Sequence, residues 1–236
     1  MNVHCRSMRQ GSRGRFAGLV FALLLLPDPV RAAGPVALVE SVTGAPAGVE
    51  FMDYLSTGQV IALHPKDELV IDYLQSCVRE TISDATVTIG TERSTIEGGR
   101  VERERLLCDG GRLNLAPEQS RASAGMVSRF MGPKTHPLPP GTMVQRRLYG
   151  ASPIVDLDGS NRLVVERLDR DENPIDLTIP VDRLLRSRFY DFASDDRVLA
   201  TGGIYRLTIG DRSMVFQVDR SATSGQMPIV GRLLRF

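Results

Sequence analysis

The sequence predicts an all-β fold, and three observations carry that expectation. Short apolar or β-branched runs of four to eight residues recur along the chain, turn residues rich in glycine separate them, and few stretches between them hold the ten or more residues of helical pattern that a crossover architecture needs. The composition agrees: of 236 residues 42% are hydrophobic and 24% charged, with 22 glycines and 14 prolines, which is globular and excludes collagen-like or disordered chains. That length supplies core for one large domain or two of about 100 residues each.

The chain opens on a different pattern. Arg6, Arg9, Arg13 and Arg15 precede an apolar run from Phe16 to Leu26, followed by Pro27 and the small residues Ala32 and Ala33. This is the layout of an export signal, and the run is too short to span a bilayer comfortably. Val30 and Ala32 suit the minus-three and minus-one positions, so residues 1–32 are expected to be a cleaved signal peptide and the mature chain to begin at Ala33 in the periplasm. No cysteine follows the run to take a lipid, and no stable membrane span is expected after cleavage. Removing 1–32 leaves 24 basic and 27 acidic groups, a formal net charge of −3, which excludes nucleic acid as a partner.

Residues 33–130 are expected to form the first β domain. Its strands are read at Val36–Val42, Val49–Leu55, Gln59–Leu63, Glu68–Leu74, Ala85–Gly90, Arg100–Leu107 and Arg112–Leu115, with turns at Gly44, Gly48, Gly58, Gly90, Gly98–Gly99 and Gly110–Gly111. One short helix, Pro117 to Phe130, is read before the linker. Cys5 leaves with the signal, so Cys77 and Cys108 are the two mature cysteines, and in an oxidising compartment they are expected to form a disulfide. Closing that loop stabilises the fold by roughly 3 to 4 kcal/mol on the chain-entropy estimate.

Residues 131–142 (MGPKTHPLPPGT) hold four prolines and two glycines, read as a stiff interdomain linker. Strands resume over 143–236 at Val144–Tyr149, Ile154–Leu157, Arg162–Leu168, Ile175–Ile179, Ile204–Ile209 and Met214–Val218, the last two joined as a hairpin through Gly210–Asp211. Val181 to Phe192 fits either a helical face or an extended run. Gly202-Gly203-Ile204-Tyr205-Arg206-Leu207 resembles the corner of immunoglobulin-like sandwiches, where a tyrosine near the start of a late strand returns its hydroxyl to the backbone. Tyr205 is the structural corner that this resemblance implies. The absence of tryptophan sets the chain apart from antibody domains.

Catalytic chemistry has little support in the residues. His64 and His136 each precede a proline and lack a companion at metal-ligand spacing, so no metal is expected. No hydrolase or nucleotide motif appears, and neither a cofactor nor a catalytic set is assigned. Asp156, Asp158 and Asn161, and likewise Asp169, Asp171 and Asn173, have the oxygen-rich spacing of calcium loops but read as turns. Glu97, Glu102 and Glu104 are the carboxylates from which a glycosidase pair could be drawn; the alternation of Glu102 and Glu104 with Arg103 and Arg105 reads more simply as cross-strand charge pairing.

Leu55-Ser-Thr-Gly58-Gln-Val-Ile61, Asp67-Glu-Leu-Val-Ile-Asp-Tyr73, Ser76-Cys77-Val-Arg-Glu80 and Ala85-Thr-Val-Thr-Ile-Gly90 follow one another as glycine turns and apolar strands. On these residues, about a third of the chain, the first domain resembles the periplasmic FecR-like domain, an all-β module. The resemblance implies an exported module used in sensing or contact; the anti-sigma segment and spanning helix that precede this domain in the familiar member have no counterpart in the sequence, so sigma-factor control does not carry over. The functional expectation is a non-catalytic binding protein of the bacterial cell envelope whose partner is another envelope protein. An envelope glycan-binding protein or glycan hydrolase, taking polysaccharide or peptidoglycan, is the alternative, and a structural subunit associating through a strand edge is a third class.

Overall fold

In the computed structural model, which describes residues 34–44, 46, 48–110, 138–139, 141–225 and 227–236, fourteen strands and three short 3-10 turns occur among the described residues. The fold is all-β. The expected signal peptide, the helix at Pro117 to Phe130, the strand at Arg112–Leu115, His136 and most of the linker lie outside the described residues.

The first sheet is antiparallel throughout. It contains β1 (Ala37–Thr43), β2 (Tyr54–Leu55), β3 (Val60–Ala62), β4 (Glu68–Tyr73), β5 (Val78–Thr88) and β6 (Thr95–Arg105). Their order is β2-β1-β4-β5-β3, and β6 lies along the other side of β5 for its whole length. Alternating side chains put Val39, Leu69, Ile71, Ile82 and Val87 into one core cluster. Two irregularities shape this sheet. In β1 the register with β4 shifts between Val39 and Ser41, so Glu40 is an extra residue that the bulge re-aims. Between β5 and β6, Asp84 (φ 54°) faces Gly99 (φ 52°), and a Cβ at Gly99 would come within 2.1 Å of the Ser83 carbonyl oxygen, which leaves glycine as the residue that fits.

The strand expected over Val49–Leu55 is reduced to Tyr54–Leu55. Met52 adopts φ 69° with its side chain buried, and Asp53 accepts the Glu50 N–H at 2.7 Å, so the polar and apolar groups are satisfied by a turn rather than a ladder. Conversely β5 begins at Val78, well before the expected Ala85. Its polar start, Arg79-Glu80, is stable in a sheet because both residues are ion-paired there.

The second half holds β7 (Arg146–Gly150), β8 (Ile154–Asp156), β9 (Arg162–Arg167), β10 (Ile175–Thr178), β11 (Phe189–Asp191), β12 (Ile204–Ile209), β13 (Arg212–Thr223) and β14 (Leu233–Leu234). One sheet runs β10-β9-β12-β13-β7, with β7 parallel to β13; the other runs β11-β8-β14, with β14 parallel to β8. Leu163, Leu207 and Phe216 from the first of these meet Val155, Tyr190 and Leu234 from the second in one core, a β-sandwich. Each such large side chain contributes about 1.5–3 kcal/mol by leaving water. The ambiguous Val181 to Phe192 resolves into a 3-10 turn at Val181–Arg183 and strand β11, separated by Arg186 and Ser187 at positive φ.

A third cluster joins the halves: Leu38 and Met52 from the first sheet pack with Ile154, Phe189, Ile229 and Leu233 from the sandwich. Ala33–Phe236 accordingly forms one compact unit.

Candidate functional site

Cys77 and Cys108 form a disulfide with Cα atoms 5.7 Å apart. It fastens the start of β5 to the chain leaving β6, beside the Leu106 N–H donated to the Cys77 carbonyl at 2.8 Å. Tyr205 is buried at the start of β12; its hydroxyl accepts the Ala200 N–H at 2.9 Å, lies 3.3 Å from the Ala200 carbonyl, and its ring stacks on Phe216. Burial raises the Tyr205 phenol above its ordinary range, so the group stays a neutral hydrogen-bonding clasp.

The oxygen-rich loops are occupied by arginine. Asp156 takes the Arg188 guanidinium in two hydrogen bonds of 2.7 and 2.9 Å and also accepts the Tyr54 hydroxyl at 3.0 Å, which crosses between the halves of the molecule. Asp158 pairs with Arg212 at 3.1 Å. Asp169 binds Arg167 and accepts the Ile204 N–H at 3.1 Å; burial opposes its ionisation, but these partners hold it below the usual carboxylate value. Among the described residues no group of three or more His, Cys, Asp or Glu side chains is placed to hold a metal ion. His64 is a solvated turn residue, its side chain 72% exposed and its Nδ1 3.3 Å from Asp67.

Glu97, Glu102 and Glu104 all lie exposed on β6, strung along one strand instead of converging on a cleft. Glu104 is 3.8 Å from Arg79, and the neighbouring Arg103 reaches the fully buried Glu80 at 2.7 Å.

Three acidic residues share one cation elsewhere, and the sequence did not single them out. Arg79 makes two hydrogen bonds of 2.7 and 2.9 Å to Asp72, which is fully buried, and lies 3.2 Å from Glu40 and 3.8 Å from Glu104. Burial and the adjacent Asp72 carboxylate push Glu40 up to about 7, against the pull of the Ile229 N–H and of Arg79. Glu40 accepts that Ile229 N–H at 2.9 Å, so the bulge in β1 ties the first sheet to the 3-10 turn Ile229–Gly231. The carboxyl pair is enclosed by its own protein, with the Glu40 side chain only 19% exposed. Its shape is that of a joint, and a substrate has no approach to Asp72. Only the one-residue break in the apolar alternation of Ala37–Thr43 could have pointed to it in the sequence.

The longest open sheet edge among the described residues is the outer edge of β6. Among the described residues β5 alone pairs with it, over eleven residues. The side chains of Glu97, Arg100, Glu102 and Arg105 on this strand are exposed and make no hydrogen bond or ion pair among the described residues. Edges of this length carry a row of unpaired amides and carbonyls ready to take another strand. Compared with known proteins, the chain matches no family model, no curated protein and no solved structure.

Proposed function

We propose that this chain is an exported, non-catalytic interaction protein of the bacterial cell envelope that works by contact with an envelope protein partner. Its 33–130 segment is read as a FecR-like β module and its 143–236 segment as an immunoglobulin-like sandwich, the mature protein being periplasmic after loss of residues 1–32. The observation that carries the reading is the edge of β6, eleven residues long and open among the described residues, with the exposed side chains of Glu97, Arg100, Glu102 and Arg105 in no ion pair among them. The sandwich reading draws support from the strand order β10-β9-β12-β13-β7 packed on β11-β8 and from the hydroxyl of Tyr205 bonded to Ala200. The raised carboxyl at Glu40 lies in a closed joint and lends no support to a glycosidase.

The test is site-specific photocrosslinking in intact cells. A photoreactive residue at Glu102 on β6 should capture a defined protein, while the same residue at the exposed Asp176 on β10 should not. Equal labelling at both positions, or none at Glu102, refutes the contact reading. N-terminal sequencing of the periplasmic fraction checks export, with Ala33 as the expected first residue.

A further inference from the structure

We infer that the β6 edge pairs with the β6 edge of a second copy of this chain, antiparallel and centred on Val101. The inference rests on the reading of β6 as a contact surface and names the strand that occupies it.

The argument starts from the hydrogen-bond direction. Leu106 donates its N–H to Cys77, opposite it on the β5 side. Alternation then turns the amides of residues 104, 102 and 100 toward β5 and those of Val101, Arg103 and Arg105 away from it. Val101 therefore presents both its N–H and its C=O at the outer edge, as a residue facing its own copy must.

Symmetry limits the choice of register. Two antiparallel edges that continue a sheet are related by a two-fold axis normal to it, and that axis keeps every side chain on its own face. The residue on the axis meets its own copy, and residues one step before it meet residues one step after. Centring on Arg103 sets arginine against arginine and Glu102 against Glu104 twice; centring on Glu104 sets glutamate against glutamate and Arg103 against Arg105 twice. Centring on Glu102 puts two glutamates on the axis. Centring on Val101 puts Arg100 opposite the partner's Glu102 in both halves, with valine against valine on the core-facing side. In that register no like charges meet, and Arg100 and Glu102, which have no ion pair within their own chain among the described residues, gain one each. Arg103 and Glu104 stay with Glu80 and Arg79 on β5.

Sedimentation velocity on the mature protein, from micromolar to near-millimolar concentration, tests this. The wild type should self-associate. Arg100→Glu or Glu102→Arg alone should weaken association about tenfold or more, since both symmetric pairs become repulsive. An equimolar mixture of the two variants should associate again, because every facing pair is then opposite in sign. Both positions are exposed, and circular dichroism of each variant confirms that the fold is retained. A wild type that stays monomeric, or single variants that associate as strongly as the wild type, overturns self-pairing. The in-cell crosslink at Glu102 separates the two readings: an adduct of twice the chain's mass supports self-pairing, an adduct with a different protein overturns it and leaves the contact reading standing, and an empty edge removes both.

Discussion

The two halves of the molecule bury charge by different rules. In the sandwich each buried carboxylate is held by a different guanidinium, Asp191 by Arg232 at 2.5 Å, Asp169 by Arg167 at 2.9 Å and Asp156 by Arg188 at 2.7 Å, and the further acids on two of those cations, Glu172 and Asp158, are exposed. In the first sheet Arg103 holds Glu80 in the same way, but Glu40, Asp72 and Glu104 gather about Arg79 alone. Matching charges one to one satisfies the desolvation cost of each, whereas sharing a single cation leaves one acid to keep its proton instead. The sandwich is therefore expected to be indifferent to pH near neutrality and the first sheet, with its joint to Ile229, to respond to it.

The largest effect should come from breaking a matched pair. Arg232 is 4% exposed and also donates to the Ser152 and Met227 carbonyls, so Arg232→Met leaves Asp191 buried without its cation. A loss of about 3–5 kcal/mol in urea-induced unfolding is expected. Next comes the staple of the first sheet: Cys77→Ser with Cys108→Ser opens a loop of sequence separation 31 and should cost roughly 3–4 kcal/mol, with a matching loss on reduction of the wild type. A small shift in both experiments would mean that the reduced chain is already constrained.

The pH response sharpens the contrast further. Glu40 has its carboxyl raised from an ordinary 4.5 to about 7, so the folded protein holds a proton that the unfolded chain releases. Its contribution is fully present below pH 4.5 and is lost as pH rises through about 7, a decline of roughly 3 kcal/mol. Glu40→Gln, neutral at every pH, should flatten the stability profile over that window. An unchanged slope would assign the response to another group. The smallest effect belongs to the clasp in the sandwich: Tyr205→Phe removes the bonds to Ala200 and should lower stability by about 1–2 kcal/mol with no change in pH dependence.

Much of the fold was legible because strands announce themselves locally. Ile204–Ile209 was read with its observed bounds, and Gly210–Asp211 turns directly into β13. The disulfide followed from the two cysteines, Cys77 and Cys108, that lie beyond the expected signal segment. What escaped depends on contacts far along the chain. The polar start of β5 becomes strand because Glu80 finds Arg103 across the ladder, a pairing that alternation alone does not reveal. Leu233–Leu234 is too short to register as a strand and exists through its parallel pairing with Ile154 and Val155. Glu40 reads as an ordinary solvent-facing glutamate until the bulge turns it toward Asp72. The edge of β6 was visible as alternating charge, but which of its residues are free emerged from the ladder with β5.

The bond from Ile229 to Glu40 spans 189 positions of chain. The first sheet is built from strands close together in the sequence, whereas its joint closes only once Ile229 and Leu233 have docked from far along the chain. Until they dock, Leu38 and Met52 lack the apolar cover that Ile229 and Leu233 give them in the folded protein. Docking of that distant segment is thus a folding step that the two halves share.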